Sequence, residues 1–61
     1  MCISTVYQNA ILPVNILLKN VWAIRVEGDD VILTNILEQE LRVNGTLVSA
    51  DLIGGVVVIA C

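Results

Sequence analysis

Two cysteines, Cys2 and Cys61, stand out as candidates for chemistry in a chain that contains no histidine. A thiolate directly behind Met1 joins sulfur to a backbone amide nitrogen, or to a terminal amine, in one compact donor set, and such a set suits nickel. Without imidazole there is no ordinary general base near neutral pH and no Ser-His-Asp triad, so the chain reads as a non-catalytic protein. The competing reading of Cys2 is a small, inert hydrophobe at the start of a strand, because free cysteine is often buried.

The remaining polar residues offer weaker chemistry. Glu38 and Glu40 lie on one side of a predicted strand with Arg42 beside them, and a solvated strand face explains them better than a hard-cation site. Asp29 and Asp30 fall where a turn is expected. Gly54-Gly55 lacks the strand–turn–helix setting of a phosphate loop and reads as a hairpin. Trp22 offers a stacking face, although a large ring in an alternating strand usually packs, here as a barrel or interface anchor.

The elements that must carry these residues are short strands. Turn signals recur every eight to twelve residues, and the stretches between them are rich in β-branched side chains. Val21–Glu27, Gly28-Asp29 and Asp30–Asn35 predict a hairpin. Glu38–Val43 leads through Asn44-Gly45, a strong hairpin dipeptide, into Thr46–Leu52, and Gly54-Gly55 turns the chain into the apolar Val56–Ala60. Ile3–Gln8 forms a further strand, while residues 10–18 read either as a strand broken at Pro13 or as a helical turn. The expectation is an all-β fold, a small barrel of six to seven short antiparallel strands forming a single domain over residues 1–61. In a closed meander the first and last strands would pair antiparallel, bringing Cys2 toward Cys61.

A chain of 61 residues buries only about 60% of its unfolded surface and needs support. Apolar residues make up 57% of the sequence, with only Tyr7 and Trp22 aromatic, and a barrel this small cannot internalise them all. A homodimer is therefore expected, with residues 10–18 or 56–60 in its contact. Net charge −3 and scattered Lys19, Arg25 and Arg42 argue against nucleic acid, which leaves a nucleic-acid-binding barrel as the runner-up and a metal-free interaction module as a third reading. No secretory signal or membrane span is readable, so the cytoplasm is the expected compartment, where two cysteines point to metal or redox chemistry before a structural disulfide.

Met1-Cys2, the run from Val21 through Gly28-Asp29 to Glu38, and Ala50-Asp51-Leu52 followed by an apolar strand resemble, in order and spacing, the CooT family. These are small proteins associated with maturation of nickel-containing carbon monoxide dehydrogenase. The resemblance implies a small β-rich homodimer that binds Ni(II) through the cysteine after the initiator methionine, which is Cys2 here. It also implies carbon monoxide dehydrogenase or other nickel-maturation proteins as partners. Two Cys2 thiolates at a dimer axis and two backbone or terminal nitrogens would complete a square plane, which Ni(II) accepts and Zn(II) does not favour. The uncharged 10–18 segment and the terminal Cys61 depart from the family pattern.

Overall fold

Alternating β-branched residues and glycine-bearing turns build a sheet without α-helix in the computed structural model, which describes residues 3–61. The strands are β1 (Ser4–Gln8), β2 (Ile16–Glu27), β3 (Asp30–Asn35), β4 (Glu40–Asn44), β5 (Thr46–Asp51) and β6 (Val56–Ala60). A single 3-10 turn at Pro13–Asn15 precedes β2, so the 10–18 segment is turn first and strand after. Pro13 opens that turn, where its missing N–H costs nothing.

Strand order across the sheet is β4-β3-β2-β1-β6-β5. The β2–β3 hairpin has the expected form, with Glu27 opposite Asp30 and Gly28 at φ 59°. The β5–β6 hairpin also forms, with Asp51 opposite Val56. Two expectations are corrected. The strands do not close into a barrel, and they are not all antiparallel: β1 and β6 pair in parallel, Thr5 opposite Val56 through Gln8 opposite Ile59.

Gly45 accounts for both corrections. β4 and β5 sit at opposite edges of the sheet, so Asn44-Gly45 is no hairpin turn. The Gly45 N–H instead donates to the Asp29 carbonyl at 3.1 Å. A Cβ at position 45 would lie 2.6 Å from the Ala60 carbonyl oxygen, so glycine is required there for close approach to β6. One link that continues the chain's direction where a hairpin would reverse it changes the strand parity, and β6 then runs with β1. Ser4 lies opposite Val21 at one end of β1, whereas Cys61 follows β6 at the end where its N–H donates to Asn9 Oδ1, 3.1 Å away. The antiparallel closure expected between the first and last strands is therefore absent, and Cys2, which it was expected to bring toward Cys61, lies outside the described residues.

β2 is long enough to serve two partners in turn. Its first half pairs with β1 and its second half with β3, and Asn20, at φ 59°, sits where the partner changes. The sheet folds over on itself, bringing β3 against β5. Val6, Val21, Val31, Leu33, Val57 and Ile59 fill the interior, with Leu17, Leu18, Ile24, Leu41 and Val43 packed against them. Val58 is also buried, on the side of β6 away from Val57 and Ile59, as the two-faced apolarity of Val56–Ala60 suggests. No helix of the described residues is long and apolar enough to cross a membrane.

Candidate metal site and its surroundings

Cys2, the residue assigned to the metal, lies outside the described residues. What the described chain establishes is the setting of the residues that follow it. Ile3 is exposed and Ser4 buried. Ser4 pairs with Val21, and Thr5 donates its N–H to the Gly55 carbonyl at 2.8 Å. The start of β1 is thus wedged between β2 and the turn that joins β5 to β6.

Asp51 shapes that turn. Its Oδ1 accepts the N–H groups of Ile53 and Gly54 at 3.2 and 2.8 Å, and its carbonyl accepts Gly55 N–H. Leu52 and Ile53 ride on the turn, fully open to solvent in the case of Ile53.

The turn from β3 to β4 stands at the same end, because Asn35 pairs with Val21. Asn35 is buried, and its Oδ1 accepts Leu37 and Gln39 N–H at 3.0 Å each while its Nδ2 donates to Gln39 Oε1 at 2.7 Å. Its carbonyl accepts Trp22 Nε1–H at 2.8 Å, and Ile36 N–H donates to Asn20. Trp22 is consequently turned outward, nearly half exposed; it is no interior barrel anchor. The end of the molecule from which β1 starts therefore displays Ile3, Trp22, Ile36, Leu37, Leu52 and Ile53.

The acidic candidates separate. Glu38 occupies the turn before β4 with φ 63°, so it does not share a strand face with Glu40. Among the described residues no three His, Cys, Asp or Glu side chains come together as a metal cluster. Cys61 is exposed and forms no disulfide among the described residues.

A charged cluster that sequence reasoning did not assemble lies along the β2–β3–β4 surface. Arg42 donates to Asp30 Oδ2 at 2.7 Å and to Glu27 Oε1 at 2.9 Å, and Arg25 binds Glu27 Oε2 at 2.8 Å. Hydrogen bonds from Arg42 and Arg25 hold the Glu27 carboxyl below its ordinary range. Those from Asn44 and Arg42 do the same for Asp30, and Asp30 and Glu27 in turn raise Arg42. The strand registers that set Glu27 opposite Asp30 and Ile32 opposite Arg42 were the signal available. Two of the three basic side chains are thereby engaged by carboxylates, which weakens further the case for a polyanion ligand.

The family described as CO dehydrogenase accessory protein CooT matches residues 1–60, essentially the whole chain. No curated protein and no solved structure matches.

Proposed function

Because the chain belongs to the CooT family, whose model spans residues 1–60, we propose that it is a nickel-binding accessory protein for maturation of a carbon monoxide dehydrogenase nickel site. The protein catalyses no reaction. It holds Ni(II) as cargo in the cytoplasm and passes it on. The family match is the observation that carries this reading, and the absence of histidine supports it by leaving thiolate sulfur as the soft donor. Cys2 supplies that sulfur, with a backbone or terminal nitrogen beside it. Two copies of the chain associate, so each metal is held by Cys2 of both. Six large apolar side chains exposed where β1 begins favour such an association.

Titration of the reduced protein with nickel, reported as metal per dimer, tests ligand and stoichiometry together. Wild type and Cys61→Ala bind one Ni(II) per dimer with sulfur-to-metal charge-transfer absorption, and Cys2→Ala binds none. Since the thiol must lose its proton to bind, affinity rises with pH and binding releases protons. Equal loss of nickel in Cys2→Ala and Cys61→Ala would overturn the assignment of Cys2 alone, and unchanged binding by Cys2→Ala would overturn the site.

A further inference from the structure

The Asn44-Gly45 pair is chemically unusual for a dipeptide that does not turn a hairpin. Asparagine followed by glycine is the pairing most open to attack of the next backbone nitrogen on the side-chain amide, since glycine places no side chain in the way. We infer that Asn44 is a self-modification site, an asparagine that deamidates through a succinimide with Gly45, and that the fold holds it latent by engaging both reacting groups.

In the reaction the Gly45 amide gives up its proton to base, its nitrogen bonds to Asn44 Cγ, a proton is delivered to Nδ2, and the Cγ–Nδ2 bond breaks so that ammonia leaves. Water then opens the imide to aspartate or isoaspartate. No oxidant or reductant takes part, and solvent water is the co-reactant.

Both reacting groups are occupied in the fold. The nucleophile, Gly45 N–H, donates to the Asp29 carbonyl at 3.1 Å. The leaving group, Asn44 Nδ2, donates to Asp30 Oδ1 at 3.0 Å and leans on the same Asp29 carbonyl at 3.4 Å. Attack requires Gly45 N–H to leave Asp29 and the Asn44 amide to swing away from Asp30. The local backbone must open first. Asp30 is itself fixed by Arg42 at 2.7 Å, so the guard belongs to the charged cluster.

The product has a consequence for that cluster. A carboxylate at position 44 has no N–H to offer, and it would face the Asp30 carboxylate and the Asp29 carbonyl, acceptors both. Conversion therefore turns a hydrogen bond into repulsion at the corner where β4 passes into β5.

The experiment follows the intact chain at mildly alkaline pH, native and in guanidinium chloride. Cleavage after Arg42 releases residues 43–61, in which Asn44 is the only side-chain amide, so the amide-to-acid mass gain of that peptide reports one site. Native wild type gains it at least about tenfold more slowly than the denatured chain. Asp30→Ala, native, gains it between about two- and tenfold faster than native wild type, the range one lost hydrogen bond allows. Asp30→Asn keeps an acceptor oxygen and stays near the wild-type rate. Equal rates in native and denatured wild type would overturn the inference. So would an Asp30→Ala rate no faster than wild type, or an Asp30→Asn rate as fast as that of Asp30→Ala.

Discussion

At its first residue β3 offers Asp30 to Arg42 and Asn44 in the open, whereas at its last residue it buries Asn35, whose amide bonds Leu37 and Gln39 and whose backbone carbonyl accepts the Trp22 indole N–H. Both ends tie β3 to the chain around it. They do so against different backgrounds. Water competes for every bond in the charged cluster, and exposed ion pairs of this kind contribute little net stability. The Asn35 side chain is buried although its partners Leu37 and Gln39 reach solvent, so water competes less there and each bond counts for more. Six exposed large apolar side chains also lie at the Asn35 end, although Ile11, Leu12, Val14 and Val26 are exposed elsewhere, so one end of β3 is held by ion pairs and the other by an uncharged amide beside apolar surface.

The largest expected effect comes from breaking the buried end. Asn35→Ala deprives Leu37 N–H, Gln39 N–H and Gln39 Oε1 of partners and should destabilise the fold by about 1–3 kcal/mol, read as a fall in the denaturant midpoint. Arg42→Gln, at the exposed end, should move that midpoint by less. A larger loss from Arg42→Gln would reverse the comparison.

Leu37→Lys and Ile53→Lys sharpen it in another way. Both side chains are largely in solvent, so folding stability should change by no more than about 0.5 kcal/mol. Association should suffer instead, because a charge introduced into an apolar contact stays unpaired. Sedimentation over a concentration series checks this. A wild type that stays monomeric at all concentrations would remove the partner from the apolar end.

Much of this arrangement was legible in the residues. Gly28-Asp29 announced the β2–β3 hairpin, Gly54-Gly55 the last one, and the alternation of Leu41 and Val43 against Arg42 set the inner face of β4. Asn44-Gly45 misled because its local preference is for a reversal, while the role of Gly45 is decided by a carbonyl fifteen positions later in the chain, at Ala60. No local pattern carries that contact. Glu38 misled for a related reason: in a strand it would share a face with Glu40, but the buried Asn35 amide draws the chain into a turn that places Glu38 at positive φ. The candidate site was read in one residue, Cys2, assigned through the family resemblance because its type alone fits an inert small hydrophobe as well, and it lies outside the described residues.

The smallest effect is the dependence of the ionic end on pH and salt. Glu27 and Asp30 are both held below their ordinary values of 4.5 and 3.8, chiefly by hydrogen bonds from Arg42 and from Asn44 respectively. A carboxylate whose folded pKa is depressed adds stability above its unfolded pKa and loses it as pH falls through the folded value. Arg42, raised from an already high value, stays charged throughout and adds no dependence of its own in acid. The difference in melting temperature between wild type and Arg42→Gln should therefore be flat near neutrality, begin to shrink as pH drops past 4.5, and approach zero once both carboxyls are protonated. Because the partners lie at the surface, with Asp30 partly sheltered, raising salt at neutral pH should shrink the same difference. The Asn35→Ala difference, resting on an uncharged amide, should follow neither variable. If it tracked pH as Arg42→Gln does, the two ends of β3 would be coupled, and the contrast between them would fail.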